Sequence, residues 1–419
     1  MDLRDSARDA ADTLTERLAA PENVRGLRHR QGWWPQSLAH GAVGVALLHI
    51  ERARTGHGPW QRAHNWLACA ATGPAVGGVE SHLFYGAPAL AFALHAAADR
   101  PGRYARALNT LDRYVAAAVE GRLADAHARM DRGETPALVE FDAIRGLSGI
   151  AGLLLHRDVH AGLLRRVLMY LVRLTEPVER DGELLPGWWS HLAPSGAPSP
   201  DYSEGHANNG VAHGIGGPLS VLSLAARRGV TVDGHFDAIT RILAWLDQWR
   251  QDGPSVTWWP YWITREQLRS GPPGPGPSRP SWCYGAAGLA RAQQLAGLAL
   301  DDPVRQRMAE AALLRAMADP GQLGATEDLS LCHGFAGLAH ITQLASADAV
   351  TTGLAECLPR LVAPITDTAP GILADSLIAP PGGGDIGLLE GAAGTALALH
   401  SFCTGTPSVS GWDSCFLTN

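Results

Sequence analysis

Two stretches of the sequence share one pattern, and that pattern decides the fold. They are Ser281-Trp282-Cys283-Tyr284-Gly285-Ala286-Ala287-Gly288-Leu289-Ala290 and Leu331-Cys332-His333-Gly334-Phe335-Ala336-Gly337-Leu338-Ala339. Each places sulfur-bearing or polar side chains just before a Gly-x-x-Gly step, and an apolar, helix-like run follows at once. The two stretches therefore look like copies of one structural unit.

Seven copies of this unit follow one another along the chain, and we number them repeats 1 to 7. We call the residue directly before the first glycine the slot residue, and the slot residues are His40, Tyr85, Arg145, His213, Tyr284, His333 and Glu390. In repeat 2 the second glycine is replaced by Ala89. An apolar run rich in small residues follows each step, and amphipathic segments with helical periodicity separate the copies.

This alternation predicts the fold class. A helix that is apolar all round is expected to be buried, whereas a helix with one apolar stripe is expected to lie outside it. Seven such pairs predict an all-α fold, an α/α toroid with seven inner and about seven outer helices, in a single domain over residues 1–419. Because glycine lacks a Cβ, the glycines let each loop turn sharply and let neighbouring inner helices approach closely. The slot residues are then expected to gather around one mouth.

Two stretches interrupt the repeat and are predicted to be long loops at that mouth, around residues 185–210 and 253–280. The part from Ser270 to Pro280 is rich in glycine and proline, which predicts extended, non-helical chain leading into Cys283. Loops of this length are often functional, so they are candidates for substrate contact. Their aromatic candidates are Trp188, Trp189, Trp258, Trp259, Tyr261 and Trp262.

Composition excludes several classes of protein. Charged residues make up 18% and the hydrophobic set 46%, which is too apolar for a disordered chain. The net charge of −7 without long basic runs argues against a nucleic-acid partner. The sequence has neither the apolar core of a signal peptide nor a run of about 18 apolar residues, so we expect a cytoplasmic protein without a membrane span. Its six widely separated cysteines do not resemble a disulfide framework.

The strongest candidate site consists of Cys283, Cys332 and His333. Two thiolates and one imidazole suit zinc, and three protein ligands leave the fourth position to water or substrate, as in catalytic sites. The alternative is two buried cysteines and a core histidine. Because all three residues precede glycines at the same end of repeat units, we favour one catalytic zinc ion per chain.

Two further residues carry open alternatives. His213 occupies the slot of repeat 4, where it can be a fourth metal ligand, an acid/base group or a helix cap; a catalytic zinc needs its open position, which favours the acid/base role. Asp142 is a lone carboxylate in an apolar context, and either a salt bridge with Arg145 or a functional role explains it. His40 and Glu390 have no second feature and are interpreted as structural.

Together these residues resemble the lanthionine synthetase C-like family over nearly the whole chain. The motifs that carry the resemblance are the seven-fold Gly-x-x-Gly pattern and Trp282-Cys283-Tyr284-Gly285, Cys332-His333-Gly334, Ala212-His213-Gly214-Ile215-Gly216 and the Asp142 to Gly149 segment. The resemblance implies an α/α toroid with zinc bound by Cys283, Cys332 and His333. It also implies that His213 is the acid/base group, with Asp142, Arg279 and Tyr284 around it.

The activity implied by the resemblance is closure of thioether rings in lanthipeptides. A peptide cysteine would add to a dehydroalanine or dehydrobutyrine of the same peptide. With no dehydrating region before the toroid, the chain resembles a stand-alone class I cyclase. Such an enzyme is expected to act on a dehydrated precursor peptide with a leader, beside a separate dehydratase and an exporter, and to meet a membrane only through that complex. The alternatives are glutathione addition to dehydroamino acids, protein prenyl transfer, and an inactive peptide-binding scaffold.

Overall fold

The structure, a computed structural model, describes residues 2–254, 256–271 and 276–419. The α-helices in these residues are α1 (Leu3–Arg17), α2 (Ala42–Arg54), α3 (Trp60–Ala70), α4 (Ala87–Ala96), α5 (Ala105–Asp131), α6 (Leu138–Phe141), α7 (Leu147–Arg157), α8 (Ala161–Leu174), α9 (Gly216–Arg227), α10 (His235–Trp249), α11 (Arg265–Ser270), α12 (Ala286–Ala299), α13 (Pro303–Ala318), α14 (Pro320–Gly324), α15 (Phe335–Asp348), α16 (Leu358–Thr366), α17 (Pro370–Ile378) and α18 (Ala392–Thr404). The strands are β1 (Val178–Arg180), β2 (Glu183–Leu185), β3 (His206–Asn208), β4 (Gln251–Asp252), β5 (Thr257–Trp258) and β6 (Trp262–Thr264). The helices carry the core, because the strands are only two or three residues long.

Seven inner helices begin at the seven repeats, as predicted, six of them at a Gly-x-x-Gly step and one at the degenerate step of repeat 2. They are α2, α4, α7, α9, α12, α15 and α18. In α12, every residue from Ala286 to Gly297 is buried. By contrast, α8 and α10 bury one stripe of residues and expose the opposite face. The difference in pattern between the two kinds of helix therefore corresponds to a difference in burial.

The chain divides into two compact units. The first contains Met1–Ala116, Thr326–Ser346 and Ala355–Asp413. The second contains Ala117–Ala325, Ala347–Leu354 and Ser414–Asn419. In the first unit α18 packs against α1 and α2, and α2 packs against α3 and α4; in the second α9 packs against α7 and α12, with α8 against α7 and α13 against α12. The prediction of a single domain over residues 1–419 stays a prediction.

A backbone carbonyl explains the second glycine of the steps. A Cβ at Gly44, Gly288, Gly337 or Gly394 would lie 1.9–2.1 Å from the carbonyl oxygen six positions earlier. The loop therefore folds back over the first turn of the inner helix. In repeat 1 a neighbouring repeat also comes close, since a Cβ at Gly44 would lie 2.8 Å from the backbone nitrogen of Leu388. The glycines thus allow both the sharp turn and the close approach that the sequence predicts.

Gly394→Ala is expected to destabilise the protein strongly. Its Cβ would lie 1.9 Å from the carbonyl oxygen of Leu388, and overpacking of this kind costs roughly 1–3 kcal/mol or more. Gly121→Ala is the matched control, because Gly121 lies inside α5 with open space at its Cβ position. This control is expected to gain about 0.5–1 kcal/mol. Urea unfolding measures both changes, and a Gly394→Ala protein as stable as wild type would contradict the packing described here.

Backbone hydrogen bonds join the loops that precede the inner helices, and we call this set of bonds the loop belt. In the first unit the donor N–H and acceptor O pairs are Cys332 to Leu389 (2.9 Å), Leu388 to Leu38 (3.1 Å) and Leu38 to Phe84 (3.0 Å). In the second unit they are Ala143 to Ala212 (3.0 Å) and Ala212 to Cys283 (3.3 Å). The belt therefore links repeats 6, 7, 1 and 2 in the first unit and repeats 3, 4 and 5 in the second.

The two predicted loop insertions contain short regular elements that tie them together. Strand β3 pairs antiparallel with β6, with His206 opposite Thr264 and Asn208 opposite Trp262. Two- and three-residue strands carry no readable periodicity, so the sequence did not predict them. The pairing places the end of one insertion directly beside the other.

Helix α11 lies inside the second predicted insertion. A capping box starts this helix. The Thr264 side chain accepts the backbone N–H of Gln267, and the Gln267 side chain accepts the backbone N–H of Thr264. The prediction of extended, non-helical chain from Ser270 is therefore wrong at Ser270, which ends this helix. Residues Gly276 to Pro280 are non-helical as predicted, while the predicted stretch from Pro272 to Pro275 lies outside the described residues.

Within the described residues, no single helix is long and apolar enough to cross a membrane. The segments Ala355–Thr366 and Pro370–Ile378, bent by 76° against each other, meet the length and composition criteria only as a pair. Their helices α16 and α17 both pack against α1 within the first unit. All six cysteines are thiols, in line with the prediction.

Candidate metal centre and acid–base site

The predicted metal ligands occupy equivalent positions in successive repeats. Cys283 and Cys332 each stand two residues before the first glycine, and His333 is a slot residue. Both cysteines belong to the loop belt, since the carbonyl of Cys283 accepts from Ala212 and the N–H of Cys332 donates to Leu389. The belt therefore fixes the backbone from which each thiol extends.

Cys283, Cys332 and His333 each offer one ligand atom, and these atoms all lie within 4.8 Å of one another. Cys283 is buried, while Cys332 and His333 are partly exposed. A tetrahedral zinc ion with bonds of about 2.0–2.3 Å holds its ligand atoms roughly 3.5–3.8 Å apart, which is inside that limit. In the part of the chain that the structure describes, no other group of this kind occurs. The donor atoms fit zinc, and their binding of zinc stays a prediction.

Asp328 orients the imidazole of His333. The Nε2 atom of His333 lies 2.9 Å from Asp328 Oδ2, and Asp328 Oδ1 accepts the backbone N–H of Ser330 at 2.8 Å. Burial disfavours the carboxylate, but the hydrogen bonds from His333 and Ser330 outweigh it and lower the pKa of Asp328 to about 2. An ionised Asp328 accepts Nε2–H of His333, so Nδ1 is the ring nitrogen that could hold a metal ion.

His213 and Asp142 form a second such pair, in the second unit. The Nδ1 atom of His213 lies 2.7 Å from Oδ2 of Asp142. The other oxygen, Oδ1, accepts the backbone N–H groups of Arg145 at 2.6 Å and Gly146 at 2.7 Å. The Asp142 side chain is fully buried, whereas that of His213 is 36% exposed. The buried carboxylate therefore selects the Nδ1–H form of the ring, and Nε2 is the nitrogen that does not bond to Asp142.

The electrostatics of this pair favour an acid/base role. Burial disfavours the charged imidazole, but the hydrogen bond and the charge of Asp142 outweigh it and raise the pKa of His213. Of the roles that the sequence left open for His213, a proton carrier fits this geometry best. The alternative role of Asp142, a salt bridge with Arg145, is not what the structure shows, because Arg145 contributes its backbone N–H.

Tyr284 and Arg279 lie in the same unit as this pair. The Tyr284 hydroxyl accepts a hydrogen bond from Asn208 Nδ2 at 3.0 Å, and its ring centroid lies 6.4 Å from that of His213. The Tyr261 ring lies 5.2 Å from that of Tyr284, and the Tyr261 hydroxyl donates to the carbonyl of Arg279 at 2.8 Å. Burial raises the pKa of Tyr261, and the nearby positive charge of Arg279 opposes that shift. The chemical roles of these residues stay predictions.

Sequence reasoning missed three residues that organise the site loops. Asn208, Asp328 and Asp385 each stand six positions before the first glycine of repeats 4, 6 and 7. In each, Oδ1 accepts the N–H of the residue two positions later, at 3.0, 2.8 and 2.8 Å. Asn and Asp form such turns readily because their side chains are short. Their regular spacing before the glycine was the signal that could have found them.

The aromatic candidates for substrate contact divide into two groups. Trp188, Trp189 and Trp259 are buried in the core, so their prediction as contact residues is wrong. Tryptophan buries a large apolar area, and that area here serves packing. The other three, Trp258, Tyr261 and Trp262, are only half-buried, and their contact with a substrate stays a prediction.

Comparison with known proteins identifies relatives of the chain. Residues 32–417 match the family described as lanthionine synthetase C-like protein. Nisin biosynthesis protein NisC of Lactococcus lactis subsp. lactis is 27% identical over 266 residues, which span 62% of this chain and 61% of that protein's length. A solved structure of nisin cyclase matches with a TM-score of 0.77 at 21% identity and covers 98% of this chain and 97% of that chain. This match confirms the predicted fold class, an all-α, α/α toroid.

Proposed function

The chain belongs to the lanthionine synthetase C-like family, and we propose that it is a zinc-dependent lanthipeptide cyclase. In the proposed reaction, a peptide cysteine adds to a dehydroalanine or dehydrobutyrine of the same peptide, and a lanthionine or methyllanthionine ring closes. One observation carries the proposal, which is the group formed by Cys283, Cys332 and His333. A site with three protein ligands keeps one position open for a substrate sulfur.

Cys283, Cys332 and His333 would hold the ion. When bound, zinc would offer its open position to the peptide sulfur and lower the pKa of that thiol. The two protein thiolates would contribute two negative charges and so offset the charge of the ion. The sulfur of the substrate cysteine would therefore stay nucleophilic when bound. Asp328 would fix the ring of His333 by accepting Nε2–H.

Asp328→Asn is expected to weaken metal binding about 10–100-fold, since loss of the partner of a ligating histidine has effects of this size. The amide removes the charge that holds Nε2–H of His333 in place. Asp375→Asn is the matched control, because Asp375 is an exposed carboxylate of the same unit that pairs with Arg17. Competition for zinc with a chromophoric chelator measures the affinities, and an unchanged affinity in Asp328→Asn would exclude the orienting role.

The pair of His213 and Asp142 would handle the proton that completes the addition. When the sulfur bonds to the β-carbon, the π electrons of the alkene move into an enolate that needs a proton on its α-carbon. The imidazolium of His213 gives that proton from Nε2, so that its N–H bond breaks, a C–H bond forms and neutral imidazole stays bonded to Asp142. The raised pKa of His213 supports this role near neutral pH.

We assign the supporting roles to Arg279 and Tyr284. A guanidinium stabilises a developing oxyanion, so Arg279 suits the oxygen of the enolate. The hydroxyl of Tyr284 is held by Asn208, and its ring lies beside that of His213. Tyr284 thereby limits where a substrate carbonyl can approach His213.

The substrate of this activity is a dehydrated precursor peptide with a leader, supplied by a separate dehydratase and passed to an exporter. We place the reaction in the cytoplasm. The half-buried rings of Trp258, Tyr261 and Trp262 are the proposed contacts for the peptide. Tyr261 and Trp262 lie beside Tyr284, with ring centroids 5.2 and 6.1 Å away, which supports this assignment.

The test uses purified zinc-loaded protein and a peptide that contains one dehydroalanine and one cysteine. Ring closure leaves the mass unchanged, so it is measured as loss of the thiol that iodoacetamide can alkylate. Thiol loss without added glutathione is the expected result. An adduct formed only with glutathione would favour the alternative thiol-addition activity, whereas a protein that takes up no zinc during loading and closes no ring would favour a scaffold.

A further inference from the structure

A second histidine–carboxylate pair lies in the first unit, at a residue that the sequence suggested was structural. His40 is the slot residue of repeat 1, and its Nδ1 lies 2.6 Å from Oδ2 of Asp385. The two side chains are only 15% and 13% exposed. The other carboxylate oxygen, Oδ1, accepts the backbone N–H of Gly387 at 2.8 Å. The carboxylate is thus fixed by the main chain, and the ring is fixed by the carboxylate.

This arrangement repeats that of His213 and Asp142. In both pairs a slot histidine bonds through Nδ1 to one oxygen of an aspartate, at 2.6 and 2.7 Å. In both, the second oxygen of the aspartate accepts main-chain N–H groups. The chain therefore builds the same oriented imidazole twice, at equivalent positions of repeats 1 and 4.

The loop belt connects the loop of His40, through repeat 7, to the loop that carries Cys332 and His333. Cys332 N–H bonds to the carbonyl of Leu389, and Leu388 N–H bonds to the carbonyl of Leu38. The slot residues His333, Glu390 and His40 therefore follow one another along the belt. Along the belt, Glu390 is the one slot residue that lies between His333 and His40.

The surroundings of His40 suit a group that takes up a proton. Burial disfavours its charged form, but the hydrogen bond and charge of Asp385, with the charge of Glu390, outweigh burial and raise the pKa of His40. Glu390 itself accepts from Gln31 Nε2 at 2.8 Å, and the ring of Trp34 stands edge-on 6.2 Å from that of His40. Within the described chain, Nε2 of His40 has no protein partner, so it is the ring nitrogen open to a substrate.

We propose that His40, oriented by Asp385, accepts the proton of the peptide cysteine thiol before ring closure, which divides the two proton transfers between His40 and His213. The inference rests on the proposed cyclase function. In this step the S–H bond breaks, its electron pair stays on sulfur as thiolate, and an N–H bond forms at Nε2. The imidazolium, paired with Asp385, afterwards gives that proton to water. His40 then makes the nucleophile, and His213 protonates the enolate.

The test compares ring closure by wild type and His40→Asn between pH 6.5 and 9, with the thiol-alkylation assay. Before it reaches the zinc position, a free peptide thiol has a pKa of about 8.5, so at pH 9 most of it arrives as thiolate and needs no base. Because the pKa of His40 is raised, more of its ring is already protonated at pH 6.5 and cannot accept the thiol proton. His40→Asn is therefore expected to lose most in the middle of the range, about 10-fold of kcat/KM near pH 7.5, and to approach wild type at pH 9. His57→Asn is the matched control, because His57 is an exposed histidine of this unit that bonds to the Thr55 hydroxyl and stacks edge-on against His400.

The possible outcomes distinguish failure of the proposed role of His40 from failure of the proposed cyclase function. If wild type closes rings and His40→Asn matches it at every pH, the inference falls and the cyclase stands. A loss that stays the same up to pH 9 would show a structural role and also overturn it. If wild type closes no rings, both fall. Zinc content and thermal midpoint confirm that the variant is folded, and His40→Gln replaces it if the asparagine variant is not.

Discussion

Cys283→Ala and Cys332→Ala are each expected to remove zinc from the purified protein and to abolish ring closure. Wild type is expected to hold about one zinc per chain, because the three ligand atoms can surround a single ion. Loss of one thiolate leaves two protein ligands, with one negative charge fewer to hold the ion. We expect less than about one tenth of the wild-type zinc in each variant and no measurable thiol loss above the uncatalysed rate.

The controls are cysteines outside the candidate centre. Cys69→Ala and Cys403→Ala remove partly exposed thiols whose pKa values burial raises. Both variants are expected to keep their zinc and their activity. The zinc content of wild type and the four variants after dialysis shows whether Cys283 and Cys332 hold the ion. Zinc retained in Cys283→Ala, or lost equally from the controls, would exclude the proposed centre.

His213→Asn is expected to lower ring closure about 10²–10⁴-fold, which is the usual contribution of general acid–base catalysis. Zinc content is expected to stay at the wild-type level, because His213 is bonded to Asp142 and serves as the proton donor in the proposed reaction. A variant that cyclises at the full rate would remove His213 from the mechanism. A variant that loses its zinc would instead make His213 a ligand, which is one of the roles that the sequence left open.

Asp142→Asn provides a sharper test of the same pair through its pH dependence. The amide can still accept from Arg145 and Gly146 through Oδ1, but it loses the charge that raises the pKa of His213. A lower pKa means that the protonated donor disappears at a lower pH. The alkaline limb of the rate profile should therefore move to lower pH in this variant, and a limb that stays in place would contradict the pairing.

The fold was predictable because its signal is local and repeated. The second glycine of a step stands where a loop carbonyl leaves no room for a Cβ, as at Gly288 and Gly394. A glycine in the sequence at this position therefore indicates that the loop folds back over the first turn of the helix. The candidate ligands were predictable for a related reason. Cys283 and Cys332 occupy the same position of two repeats, and one pattern therefore suggested both.

What the sequence did not reveal depends on contacts between distant segments. Asp328 and Asp385 appear as ordinary loop residues until the fold places them beside His333 and His40. The pairing of β3 with β6 joins segments more than fifty residues apart, and neither strand is long enough to show alternation. Trp259 shows the opposite error, because a tryptophan in a loop-like stretch is buried in the core.

The loop belt has a consequence for how this architecture can diversify. Its hydrogen bonds come from main-chain atoms, so they place no demand on the side chains at the slots or at the positions before them. The same backbone setting already carries His40, Tyr85, Arg145, Tyr284 and Glu390. The slot, which is at least partly exposed in every repeat, is thus free to exchange residue type while the scaffold stays constant, whereas the position before it is buried in most repeats, as at Phe84 and Ala212. Natural variation or redesign at these positions can move a thiol, an imidazole or a carboxylate from one repeat to the next, and so change the chemistry of the protein without rebuilding its fold.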